Sequence, residues 1–217
     1  MNIILIGPPA TGKGTQSSIL SKHFKIPHIS IGDIFRNNLK NKTNLGKLVH
    51  SFIEKGSLVP DEITNKMISE HLYQKKIENG FILDGFPRNL NQAIFLDKEL
   101  ENKKIELSKV IYFNSAEEVL RKRITGRIVC PKCGEIYNKE KKIPKRNNFC
   151  DNDNEKLKKR KDDNIKTFIQ RLIIYKKETF PLINFYKQKN KILEIKIDDP
   201  NTTIEEITNI ILKKINK

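Results

Sequence analysis

IGPPATGKGT occupies Ile6 to Thr15 and follows directly on the apolar residues Ile3, Ile4 and Leu5. An apolar run that breaks into glycine and proline predicts a strand delivering the chain to a turn, and the residues beyond predict a helix. On that helix Ile19, Leu20, His23 and Phe24 share one face. Gly7 to Lys13 fits the phosphate-binding pattern G-x-x-x-x-G-K, yet the hydroxyl that completes it arrives late: Gly14 takes its place and Thr15 follows. In such a turn the backbone N–H groups around Ala10, Thr11, Gly12, Gly14 and Thr15 converge on phosphate oxygens at the positive end of the helix, with Lys13 as a point charge. The stretch reads as a phosphate cradle with an altered rim.

Composition limits what the cradle serves. A chain of 217 residues makes one domain with insertions. The apolar run near the N-terminus is short and broken at once by glycine and prolines, so it resembles neither a signal peptide nor a membrane span. Three cysteines, two of them spaced Cys130-Pro131-Lys132-Cys133, do not look like a secreted disulfide framework and point to a reducing, cytoplasmic setting. The net charge of +16 raises nucleic acid as a partner. Lysine, isoleucine and asparagine are abundant throughout, however, and charge concentrates in one stretch, residues 139–161. There ten basic residues (Lys139, Lys141, Lys142, Lys145, Arg146, Lys156, Lys158, Lys159, Arg160 and Lys161) face four acids. A basic lid over a polyanionic nucleotide accounts for the same charges, so no nucleic-acid partner is expected.

Strand-like runs at 2–6, 81–83, 109–113 and 192–197 alternate with long segments of helical spacing, among them Ile204, Ile207, Ile211 and Ile215 on one face. Capping boxes are expected at Ser115-x-x-Glu118 and Thr202-x-x-Glu205. Strands separated by helices imply an α/β fold: a central parallel sheet covered on both faces, three layers in all. Residues 31–60 and 127–163 break the alternation and read as two insertions in a core made of 1–30, 61–126 and 164–217.

Four further stretches define the chemistry: ISIGDIFR (29–36), DGFPR (84–88) with Gln92 beyond, RITGR (123–127), and RKDD (160–163) with Arg171 beyond. Together with GKGT, in this order and spacing over the whole chain, they resemble the adenylate kinase family in its long-lid, zinc-containing form. The separate motifs are shared with other nucleoside monophosphate kinases; their sum is specific. The resemblance implies reversible, magnesium-dependent transfer of the terminal phosphoryl group of ATP to AMP, giving two ADP, by a monomer that balances adenine nucleotides. It places Lys13 on the β- and γ-phosphates of ATP and Arg36 and Arg88 on the AMP phosphate. Arg123, Arg127, Arg160 and Arg171 then surround the phosphates from the lid side, a task suited to the planar, permanently charged guanidinium. Arg123 and Arg127 are four apart and can share a helical face if the helix extends that far. Asp33 and Asp84, each at the end of a strand-like segment, are expected to orient magnesium through water. With Gly14 at the rim, the ion is held largely by water and nucleotide oxygens, or Thr15 substitutes.

The acceptor pocket is expected from Ile31, the backbone of Ser57, Leu58 and Val59, the Gly85-Phe86-Pro87 turn, and Gln92 on the adenine edge. Family members usually carry threonine where this chain has Ile31, so one hydrogen bond worth about 1 kcal/mol is missing. Uridylate or cytidylate as acceptor, or GTP as donor, is therefore the alternative. In the second insertion Cys130-x-x-Cys133 and Cys150-x-x-Asp153 form two knuckles with tetrahedral zinc spacing, with Asp151 as a rival fourth ligand. No ligand position lies near the expected phosphates, so this metal is expected to be structural. Ile136 and Tyr137 are expected beside the ATP base or ribose, next to Asn138, where the family often has histidine. A zinc-ribbon nucleic-acid binder would use the cysteines and the basic stretch but leaves DGFPR and the cradle without a purpose.

Overall fold

The computed structural model describes residues 1–74, 77–160 and 162–215. Lys161, counted in the basic stretch and in RKDD, lies outside the described residues. The core strands are β1 (Asn2–Ile6), β2 (His28–Ser30), β3 (Phe81–Asp84), β4 (Lys109–Ser115) and β7 (Ile192–Ile197). The helices are α1 (Lys13–Phe24), α2 (Ile31–Lys40), α3 (Asn44–Lys55), α4 (Asp61–Leu72), α5 (Leu90–Asn102), α6 (Glu117–Thr125), α7 (Ile165–Ile174), α8 (Pro181–Gln188) and α9 (Ile204–Ile215). A π-helical turn, Tyr175–Thr179, links α7 to α8, and β5 (Arg127–Val129) with β6 (Ile136–Asn138) forms a separate hairpin.

The sheet order is β2-β3-β1-β4-β7, with every pairing parallel. Successive side chains of β1 therefore serve different layers. Ile4 and Ile6 join Phe81, Leu83 and Val110 under α4, α5 and α8, whereas Ile3 and Leu5 join Ile82, Ile111 and Phe113 under α1 and α9. Each buried isoleucine stabilises the sandwich by about 1.5–3 kcal/mol. The expected three-layer α/β architecture with its parallel sheet is the one observed.

Local expectations need correction at four points. The strand in ISIGDIFR ends at Ser30, so Asp33 sits in the first turn of α2, where Ser30 Oγ accepts from the Asp33 N–H at 3.3 Å. No side chain caps α6, because Ser115 Oγ donates instead to the Ile197 carbonyl of the adjacent strand. The C-terminal capping box is displaced by one residue: Thr203 Oγ1 accepts from Glu206 N–H, and Glu206 reaches back to Thr203 N–H at 2.7 Å. On α1 the buried stripe is Gln16, Ser17 and Leu20, while His23 is exposed. Gln16 is accommodated there by its amide, which donates to the Ile204 carbonyl and accepts from Thr208 Oγ1.

The two irregular segments have their own local logic. Within 31–60, α2 and α3 pack closely where Gly46 passes Asn38; a Cβ there would lie 2.2 Å from the Asn38 carbonyl oxygen. Within 127–163, the β5–β6 hairpin carries the isolated bridge Val129–Lys158, a separate bridge joins Phe149 to Lys156, and Ile128, Cys130, Tyr137, Cys150 and Leu157 form a small core. Among the described residues no helix is long and apolar enough to cross a membrane.

Candidate active site

The cradle forms at the C-terminal end of β1, where parallel sheets open towards ligands. Ala10 and Gly12 take left-handed backbone angles (φ 67 and 98), which turn consecutive N–H groups inward before α1 begins. Lys13 folds over the turn, its Nζ donating to the carbonyls of Gly7 and Pro8 at 2.7 Å. Burial lowers its pKa to about 8, Asp84 works against that shift, and Arg88 and Arg127 reinforce it. A Cβ on Gly14 would meet Ile136 Cδ1 at 3.2 Å and Asp84 Oδ2 at 3.4 Å. A side chain at 14 would therefore pack tightly against the lid hairpin and touch Asp84.

All six expected arginines face one cleft of about 270 Å³ together with Lys13 and Asp84. Their routes into it differ from the shared helical face expected for one pair. The helix α6 stops at Thr125, so Arg123 reaches the cleft from its last turn and donates to the Thr11 carbonyl at 3.0 Å, while Arg127 enters from β5. Four guanidiniums rest on carboxylates. Arg36 pairs with Asp33 at 2.5 Å, Arg160 lies 3.8 Å from Asp33, Arg171 pairs with Asp162 at 2.5 Å, and Arg127 pairs with Asp163. Arg88 Nε donates to the Gly85 carbonyl at 3.0 Å. Burial pushes the Arg160 pKa down to about 9, and Arg36 and Arg127 push the same way. This crowd of like charges is what a polyphosphate relieves.

Of the two expected magnesium carboxylates, Asp84 carries no arginine; its neighbours are Lys13 and His28, whose Nε2 is 3.6 Å away. Burial works to raise its pKa, but the nearby His28 ring and the charge of Lys13 outweigh it and keep the carboxyl below the usual carboxylate range. Asp33 is already engaged by Arg36 and Arg160. Asp84 therefore fits a hydrated cation better.

A second, smaller hollow of about 50 Å³ is lined by Ile31, Ser57, Leu58, Val59, Arg88 and Gln92, among others. Ile31 is buried against the core, and Phe86 and Pro87 are buried behind Arg88. Gln92 is 2% exposed, with Oε1 accepting the Arg88 N–H at 2.8 Å and Nε2 donating to Asp61 at 2.7 Å. In the lid, Ile136 points at the cradle, but the ring of Tyr137 is 1% exposed and its hydroxyl accepts the Asp151 N–H at 2.8 Å. Asn138 is likewise tied to backbone, accepting from Glu140 and Lys141 N–H groups and donating to the Arg123 carbonyl.

The four expected metal ligands do come together. One ligand atom from each of Cys130, Cys133, Cys150 and Asp153 lies within 4.8 Å of the others. Cys133 and Cys150 sulfurs are 3.5 Å apart, and the N–H groups of Lys132 and Cys133 point at Cys130 Sγ. The rival Asp151 is occupied, accepting from Lys145 N–H at 2.8 Å. Three soft sulfurs and one carboxylate in a closed set are a donor set suited to zinc, with no open position for catalysis.

Sequence reading did not foresee Asp162 and Asp163 as arginine partners, although their adjacency to Arg160 in RKDD was a usable signal. It also missed Asp61 and Thr64 behind Gln92, which no local pattern announces, and Asn89, whose Asn89-x-x-Gln92 spacing was a helix-start signal.

A sequence model of the adenylate kinase family matches residues 5–191. The adenylate kinase of Aster yellows witches'-broom phytoplasma is 48% identical over 213 residues, covering 98% of this chain and 97% of that protein. The chain belongs to the adenylate kinase family. Adenylate kinases of Acholeplasma laidlawii (46% identical, covering 97% of this chain and 96% of that protein) and Caldanaerobacter subterraneus (45% identical, covering 99% and 96%) extend the same likeness. The family reaction is ATP:AMP phosphotransfer with a magnesium-bound nucleotide, so the chain is a nucleoside monophosphate kinase. An adenylate kinase needs two nucleotides end to end, and the second hollow shares Arg36, Arg88 and Arg171 with the cleft that the cradle lines.

Proposed function

We propose that the donor ATP lies with its β- and γ-phosphates on the cradle and Lys13, and that AMP fills the hollow behind Arg36 and Arg88. The observation that carries this reading is the convergence of six arginines and Lys13 on one cleft between the cradle and that hollow. Phosphoryl transfer needs alignment and charge neutralisation more than covalent help, and these seven cations supply both. Arg123, Arg127 and Arg160 hold the moving group from the lid, while Arg171 and Arg88 hold its acceptor. Asp84 orients the hydrated magnesium, with Asp33 beside it; when bound, that ion neutralises phosphate charge. Gln92 reads the acceptor base through its carbonyl oxygen.

The segments 31–60 and 127–163 act as covers that close on the two nucleotides and shut out water. Zinc in the Cys130, Cys133, Cys150 and Asp153 site stiffens the second cover. The enzyme works as a cytoplasmic monomer on ATP, AMP and ADP, without nucleic acid, and the lid lysines are chiefly solvated. A transfer assay crossing ATP and GTP with AMP, GMP, CMP and UMP tests the assignment. ATP with AMP is expected to dominate; a preference for UMP, CMP or GTP would overturn it.

A further inference from the structure

The acceptor hollow ends on an amide whose orientation is not free. Gln92 Nε2 donates to Asp61 Oδ1 at 2.7 Å and to Thr64 Oγ1 at 3.2 Å, which uses both of its hydrogens. Thr64 Oγ1 itself faces the carbonyls of Pro60 and Asp61, so its proton points away and its lone pairs face Gln92. On the other side Gln92 Oε1 accepts the Arg88 N–H at 2.8 Å. A carboxylate only accepts and a backbone N–H only donates, so the flipped amide would set oxygen against oxygen and nitrogen against nitrogen. Asp61 is fixed in turn by Asn89, whose Nδ2 donates to both carboxylate oxygens at 2.9 and 3.2 Å while its Oδ1 caps α5. One valence of the buried amide is left over: the second lone pair of Oε1.

We infer that Asp61, which does not line the hollow, is a positioning residue that sets the acceptor's base selectivity by locking Gln92 as a hydrogen-bond acceptor. An acceptor-only probe favours a base with an exocyclic amino group at that point and leaves a carbonyl there opposed by a second carbonyl. A buried polar site of this kind rejects the wrong partner strongly, because neither oxygen finds a donor. The selectivity therefore originates at the first turn of α4, one residue removed from the ligand.

This inference rests on Gln92 facing the acceptor base, and the test separates the two. AMP and IMP differ at the purine 6-position, amino against carbonyl, so the ratio of their kcat/KM values reads the lock directly. In Asp61→Ala the ratio is expected to fall about tenfold or more, through KM, with kcat for AMP little changed. Asp61→Asn, whose amide can turn either group towards Gln92, is expected to give an intermediate ratio and serves if the alanine variant fails to fold. Gln92→Leu is the control and is expected to abolish discrimination. An unchanged ratio in a folded Asp61 variant, with discrimination lost in Gln92→Leu, would overturn the role of Asp61 alone. Discrimination that survives Gln92→Leu would overturn both the base reading and this inference.

Discussion

Lys13 carries a charge in a crowded, dry place, and its pKa has a consequence in each direction. Its folded value of about 8 lies below the ordinary 10.5, so between these values the unfolded chain binds more protons and stability rises with pH. Activity moves the other way. As pH rises through 8 the free enzyme loses the charge that meets phosphate, so kcat/KM for ATP is expected to decline with an apparent pKa near 8. The decline in kcat is expected at higher pH, since bound phosphates favour the charged form. A kcat/KM profile flat to pH 10 would sink this account. Lys13→Met is expected to keep the fold and thermal midpoint while transfer falls by about 10²-fold or more; near wild-type turnover would end the cradle reading. The cradle was legible because its chemistry is local, each residue adjacent in sequence to the next. The lock on Gln92 was not, because Asp61 and Thr64 reach it from a different helix and carry no spacing that marks them.

Elements were legible where burial dominates and misread where hydroxyls have a choice of partner. β1, β3 and β4 are apolar runs in the middle of the sheet, and β7 is an apolar run at its edge; the pattern finds all four. β2 is three residues long, too short for a period to appear. At α9 the pairs Thr202/Glu205 and Thr203/Glu206 both satisfy the capping pattern; Thr202 Oγ1 donates to the Asp199 carbonyl at 2.9 Å, which leaves Thr203 to cap. Thr203→Ala is accordingly expected to cost about 1 kcal/mol in denaturant unfolding, and Thr202→Ala less. Gly46→Ala is expected to cost about 1–3 kcal/mol and to weaken AMP binding, because α2 and α3 must separate. An alanine variant with unchanged stability would show that the helices have slack there. In the lid, Cys130→Ser or strong chelation is expected to lower the unfolding temperature by several degrees while activity in the cold largely survives. Elemental analysis of washed protein checks one zinc per chain, and metal-free protein of full stability would count against the site.

In the whole molecule the segments 31–60 and 127–163, proposed above as covers, touch each other: Lys40 Nζ of α2 donates to the Pro131 carbonyl at 3.0 Å, and Arg160 approaches Asp33 at 3.8 Å. With phosphates absent, the lid arginines lose the interaction that favours this state, so an opened population is expected in solution. A bisubstrate mimic, two adenosines joined by five phosphates, is expected to bind far more tightly than AMP. It should also shorten the distance between labels near Lys145 and Lys47, measured on single molecules. Tight binding without shortening would end the two-cover mechanism. Strand order carries a further consequence, for synthesis. β1 is made before every strand it pairs with, and it is the middle strand of the sheet, flanked by β3 and β4. Its partners begin at Phe81 and Lys109, so an apolar strand must wait, unpaired, until those segments have been made. Non-local pairing of this kind is slow and exposes aggregation-prone surface. Nascent chains arrested before Lys109 are therefore expected to recruit holdase chaperones, and chains extended past β4 to release them.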